Sequence, residues 1–344
     1  MSFFRFLFLA IATAMLTVLI SCSQTQTNGN NLTQSPSAGS SPAITTVDNQ
    51  TSGKAKININ TGILSDLDKL EAKLGVLGLS NKIQATRPYG SPEDLVSKNV
   101  MTAEQLNQIK ELVTVQDVVL TGVTKDIDYM TKLGLMKGHL LVAKELLDLQ
   151  KPKQAEPHIG HPVEEIYVDV EDQLNERKVK AFKDNLISLQ DLVKSQPKNP
   201  KIATNFTTSM QAVDTAIQAL PEAQRQQPQF VLQVINGLLD SANSEYRAAI
   251  ANGKVAAVIE YQDSRGFVTY GNELYKGISS QMAKDHPEAQ KAIETSMAEL
   301  SKTWPSATAP AAPVNTPEQV AQLIKTIEQN SQKVVNKTNT SAKL

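Results

Sequence analysis

Apolar residues return every three or four positions along most of this chain, and almost nowhere do they alternate, so helices are expected and strands are not. Between 56 and 115, Leu64, Leu67, Leu70 and Leu74 fall on one helical face before the string GVLG at 75–78, and a second short helix runs through Ile83. After a turn at 88–92 the pattern returns at Leu95 and Val96, breaks at Asn99, and resumes with Leu106, Ile109 and Leu112. Two short helix pairs are the plain reading. Residues 126–150 then place Ile127, Met130, Leu133, Leu140 and Leu147 near one broad face, and the run stops before Pro152. HPVEEIYVDVEDQLNER opens another helix, with Pro162 suited to the first helical position and His161 just outside it as a cap. Further helices are expected at about 178–195, 203–219, 225–252, 254–284, 287–303 and 316–335, with the proline-rich stretch 303–319 as a crossover. The fold class is therefore all-α. A small domain of paired helices at 54–121 precedes a larger antiparallel helical bundle at 122–335, and 336–344 reads as a frayed tail.

The first fifty residues follow a different pattern. An apolar run at 6–20 follows the single charge of Arg5 and ends in Leu19-Ile20-Ser21-Cys22, too short for a membrane span and with no basic cluster after it. This reads as a signal peptide. Leu19, Ser21 and Cys22 resemble the lipobox of bacterial lipoproteins. That resemblance implies removal of residues 1–21, lipidation of Cys22, and an outer-membrane anchor facing the periplasm. Residues 22–53, with Asp48 as their sole charge, hold too few apolar groups to offset the entropy of ordering and read as a flexible tether. Cys22 is the only cysteine of the chain, so no disulfide or redox pair is available.

Across the 344 residues, 34 basic side chains face 35 acidic ones, a balance that argues against a protein devoted to a phosphate backbone. The segment 56–115, opening on Ile-Asn-Ile-Asn-Thr at 57–61, nevertheless resembles the helix-hairpin-helix pair of ComEA-type competence proteins and of the photosystem II protein PsbU. In the DNA-binding members of that group, hairpin glycines expose N–H groups to phosphate, which here points to Gly75 and Gly78, with Lys82 beside them. The second hairpin, LVSKNVMTAEQL, has no glycine, and Asp66, Asp68, Glu71, Glu93 and Asp94 offset the local lysines. DNA binding is therefore expected to be weak or absent, with the segment facing an envelope protein partner or serving structure.

Histidine is scarce, four in all, yet His139, His158 and His161 lie within 23 residues. His139 sits in the apolar stretch GLMKGHLLVAKE, where an imidazole must find a polar partner, and Gly138 beside it reads as room for something larger than a side chain. Imidazoles with a carboxylate are a usual shell for zinc, iron or copper, and Glu165, one turn beyond His161, is the expected carboxylate. Farther along, Glu260 and Asp263 share a helical face after the apolar run VAAVI, and Glu245 on the preceding helix can point back to them across the turn IANGK. Glu260 and Asp263 are thus expected to close the site from the far helices.

SEYRAAI, EYQDSRGF and the TWP string resemble imelysin and EfeO-type periplasmic proteins, a likeness that implies a helical module handling iron or another metal. The GxHxxE motif of that group is absent, Val142 standing where its glutamate would be. No Gly-x-Ser-x-Gly elbow, phosphate-binding loop or His-Glu-x-x-His motif is present. The expectation is an envelope-anchored, non-enzymatic helical lipoprotein that binds one transition-metal ion. The alternatives are a DNA-binding lipoprotein of the competence type and a structural assembly partner.

Overall fold

The computed structural model describes residues 45–47 and 56–341, so Cys22 and the lipobox lie outside the described residues. Strand β1 (Thr45–Val47) pairs in parallel with β4 (Val118–Leu120), and β2 (Ile57–Asn58) with β3 (Val113–Thr114). The second pair ties together the two ends of a small lobe. Between them run α1 (Leu64–Leu74), α2 (Leu79–Ala85), α3 (Asp94–Ser97) and α4 (Ala103–Ile109). Their apolar stripes meet in a core that includes Leu67, Leu70, Leu79, Ile83, Leu95 and Ile109, all nearly inaccessible to water. Gly75 and Gly78 both stand at positive φ, 66° and 75°, which is what lets α1 stop and α2 start within four residues. Asn99 takes the same left-handed conformation, φ 57°, at the second turn, because its short polar side chain tolerates that region better than most. Thr102 and Gln105 then cap α4 reciprocally.

The larger part begins with the long helix α5 (Gly122–Asp148) and continues through α6 (Pro152–Ala155) and α7 (Pro157–His161). Next come a π turn at Pro162–Ile166 and α8 (Tyr167–Glu176). Helices α9 (Lys183–Ser195), α10 (Lys201–Gln218) and α11 (Glu222–Arg225) lead to α12 (Pro228–Ala249). A short hairpin of β5 (Ile250–Ala251) and β6 (Lys254–Val255) turns the chain into α13 (Val258–Asp285), followed by α14 (Pro287–Ser301) and α15 (Pro317–Ser341). Helices α12, α13, α14 and α15 pack into a closed four-helix bundle, and α5 lies along α12 and α13.

Two features fix how α5 and α13 meet. A Cβ on Gly266 would lie 2.3 Å from the carbonyl oxygen of Gly138, and a Cβ on Gly138 would lie 2.7 Å from the Phe267 ring, so the helices cross backbone to backbone. The space expected beside Gly138 is filled by α13 itself. The proline-rich crossover is pinned down by side chains. Trp304, only 2 % exposed, donates from Nε1 to Ser264 Oγ at 2.8 Å, and Arg265 pairs with Glu145 at 2.8 Å. Truncating a tryptophan so enclosed typically costs about 3–5 kcal/mol.

The small lobe rests on the bundle through α1, which packs on α12. Charged side chains line this contact: Lys69 reaches Asp66 at 2.8 Å within α1, and Lys132 of α5 holds Asp128 at 2.9 Å and Asp169 at 2.5 Å. Among the described residues no helix is long and apolar enough to cross a membrane.

Candidate metal centre

Residues 157–161 are helical, so His158 and His161, three apart, share one face of α7. His161 is therefore a helical residue, φ −53° and ψ −46°, and not the cap its neighbour Pro162 suggested. Proline lacks an N–H and cannot continue an α-helical ladder. Here the chain passes it through a π turn, a widening of the helix often found at functional sites. Helix α7 presents both imidazoles to the crossing of α5 and α13. His139, one residue past Gly138, comes from α5, and Asp263, one turn before Gly266, comes from α13.

The three elements converge on a single carboxylate. Asp263 Oδ1 lies 2.6 Å from His139 Nδ1 and 2.7 Å from His158 Nδ1, and Oδ2 lies 3.6 Å from His161 Nδ1. His158 is fully buried, the His139 and Asp263 side chains are 8 % and 4 % exposed, and His161, at 35 %, forms the one side open to water. The ring of His139 stands 6.2 Å from that of His158 and 5.5 Å from that of His161, with Phe267 against its edge at 5.0 Å.

Hydrogen bonding fixes the ring of His158. Gln262 donates from Nε2 to the carbonyl of Ala307 at 2.9 Å and to Gln154 Oε1 at 3.2 Å. A carbonyl only accepts, so the amide nitrogen of Gln262 is committed there and its Oε1 faces His158 Nε2 at 2.8 Å. His158 Nε2 then carries a proton, which aims Nδ1 at Asp263, and the 2.7 Å contact there is a hydrogen bond whose proton an incoming cation would have to displace. A second-layer group holding the far ring nitrogen in this way is the usual support of a metal-bound histidine. His139 Nδ1 is near Asp263 Oδ1 in distance but out of line, so this buried nitrogen makes no hydrogen bond. A buried ring nitrogen left without a hydrogen bond costs about 1–3 kcal/mol unless something fills it.

The charges are consistent with a site prepared for a cation. Burial pushes the His139 pKa down, against the pull of Asp263 beside it. Asp263 is also buried, which alone would raise its pKa, but His139 and His158 beside it hold the carboxyl well below its ordinary range. Burial opposes charge on His161 too, and there Asp263 and the nearby Glu165 and Glu164 prevail, raising it to about 9.

Nitrogen and oxygen donors from His139, His158 and Asp263 lie within 4.8 Å of one another. This set fits a transition-metal ion in chemistry. Donors bound tetrahedrally at ordinary lengths stand about 3.4 Å apart, so the 2.6 Å and 2.7 Å pairs must spread slightly to admit one. Glu165 and Glu260 do not contribute to this donor group. Both are half-buried behind it, and their charges are felt by Glu245, which is itself buried and whose pKa burial and the adjoining Asp68 carry well above normal. One participant was missed in the sequence: Gln262, whose role depends on amide orientation.

The glycine hairpin is arranged otherwise. Glu71 accepts from the N–H of Gly78 at 2.9 Å through Oε1, and from the N–H and hydroxyl of Ser80 at 3.0 and 2.8 Å through Oε2. Lys82 donates to the carbonyls of Asn99 at 2.6 Å and Val100 at 3.1 Å, bracing one helix pair against the other. The groups through which the competence-type resemblance would grip phosphate are thus engaged within the lobe, and only Gly75 is without a side-chain partner in its turn.

The four helices α12 to α15 invite comparison with known bundles. Residues 221–338 match the family model of the iron permease-associated 4-helix bundle domain. No curated protein and no solved structure matches the chain. The match spans about a third of the chain and takes in the stretch that resembled imelysin. This bundle domain carries Asp263, Gln262, Glu245 and Glu260, whereas the three histidines come from helices that precede it. The centre is therefore built across the boundary of the matched region, carboxylate from within and imidazoles from outside.

Proposed function

We propose that the protein is a non-enzymatic iron-binding protein of the bacterial envelope, anchored through Cys22. In this reading His139, His158 and Asp263 hold one iron ion and His161 occupies the open side. The observation that carries it is the pair of imidazole Nδ1 atoms turned onto one Asp263 oxygen, one on a ring whose far nitrogen Gln262 holds and the other buried with no hydrogen bond. The donors alone suit iron, zinc and copper alike. Iron is favoured by the likeness of 221–338 to an iron permease-associated 4-helix bundle domain. A bound ion would satisfy all the ligands together and tie α5, α7 and α13 into one unit.

Elemental analysis of protein purified from its own envelope without chelator tests this reading. Iron should accompany the wild type and be lost from His158→Ala. Adding Fe2+ under anaerobic conditions should stabilise the metal-free wild type, by about 4 kcal/mol at a thousandfold excess over the dissociation constant, and leave His158→Ala unmoved. Native protein free of iron, with no thermal shift on adding it, would return the histidines to a packing role.

A further inference from the structure

A site buried among three helices needs a way in, and most walls of the histidine centre are closed. His158 and Gln262 are fully buried, and Phe267, 1 % exposed, stands against the edge of His139. Helices α5 and α13 meet backbone to backbone at Gly138 and Gly266. Helix α7 is clamped as well. Gly160, two positions on from His158 and so facing the other way, carries the Gln190 side chain of α9, whose Nε2 would stand 2.6 Å from a Cβ there. The same Nε2 donates to Glu156 Oε1 at 2.9 Å. His161 is held differently. Its ring sits edge-on to that of His139 at 5.5 Å, and its Nδ1 is 3.6 Å from Asp263 Oδ2, against 2.6 and 2.7 Å for the other two imidazole contacts. More than a third of its side chain, 35 %, faces water. A side chain so placed changes rotamer freely, whereas the enclosed residues move only if packed helices do.

We infer that His161 is the gate of the centre: the ion enters and leaves past this ring, which swings out to solvent and then closes over the site again. The inference deepens the iron reading and rests on it. Loading and unloading then require one side chain to move, and the crossing of α5, α7 and α13 stays packed throughout. The route of hand-over is set by the same geometry. An acceptor must present an oxygen or nitrogen donor on the His161 side, slim enough to reach the ion beside Asp263 Oδ2 while His139 and His158 still hold it.

Anaerobic stopped-flow mixing of the full chain with Fe2+ gives the rate of uptake, and transfer from the loaded protein to excess ferrozine gives the rate of loss. His161→Ala should raise both by tenfold or more. His161→Phe keeps the bulk without the charge or the donor nitrogen, and its uptake should be no faster than that of the wild type. A cationic imidazole also repels Fe2+, so equal acceleration of uptake in the two variants would trace the barrier to charge and overturn the proposal. An uptake rate unchanged in His161→Ala would overturn it too, because a residue that only ligates the ion acts mainly on release; the iron reading would survive that result. Wild-type uptake that is absent, or that persists in His139→Ala with His158→Ala, would remove the iron reading and the gate together.

Discussion

The glycine hairpin of the small lobe and the histidine crossing of the bundle both gather polar groups around glycines, with opposite results. In the hairpin, Glu71 satisfies the N–H groups of Gly78 and Ser80, and Lys82 satisfies two carbonyls of the neighbouring turn. At the crossing of α5 and α13, Asp263 is pressed by two imidazoles at one oxygen while a buried nitrogen of His139 has no hydrogen bond. Satisfied polar groups hold a fold together, whereas unsatisfied ones in the interior call for a ligand. The motif that resembled a known binding module is the closed one, and the cluster with no sequence motif is the open one.

The contrast is broken most severely at its centre. Asp263→Asn leaves the imidazoles facing a neutral amide, and removing one member of a buried charged set costs about 3–5 kcal/mol. Urea unfolding in chelator should record a loss of that order, and metal uptake at the histidine centre should vanish. A smaller effect is expected at the layer behind. Gln262→Leu keeps the volume but leaves the far nitrogen of His158 unheld, so iron affinity should fall about 10–100-fold with the fold intact, as read by titration.

The histidine cluster was legible because three of four histidines crowd into 23 residues, and the acids after VAAVI pointed to the opposite wall. The long helices were legible for the same reason that they pack, an apolar return at every turn. Two things were hidden. Pro162 resembled a helix start, because a proline at the first helical position and one carried through a π turn give the same local string. Gly138 looked like room for a ligand, yet the partner that fills it, Gly266, is more than a hundred residues away, a separation that periodicity does not register.

Acidity separates the two regions further, since the hairpin contains no histidine and the crossing contains three. In the metal-free protein His161, raised from 6.5 to about 9, contributes stability that is whole below about pH 6.5 and lost as pH climbs through about 9. At 35 % exposure that contribution is discounted for solvent screening to about 1 kcal/mol. Metal affinity runs the other way: if His161 joins the ion it must give up this proton, so binding should tighten from pH 7 towards 9. A flat affinity over that interval would place His161 outside the shell. The smallest effect belongs to the hairpin: Glu71→Ala should cost about 1–3 kcal/mol through its unpaired N–H groups. Even with those groups freed, DNA should bind the variant no more tightly than about 10⁻⁴ M at physiological salt, and submicromolar binding would restore the competence-type reading.

X-ray absorption of the iron-loaded full chain tests the central claim most directly, because it counts the imidazoles bound to the ion. At least two imidazole nitrogens and a carboxylate oxygen are expected around iron, with the imidazole signal abolished in the variant carrying both His139→Ala and His158→Ala. Iron held in an all-oxygen shell, or a spectrum unchanged by those substitutions, would contradict the account.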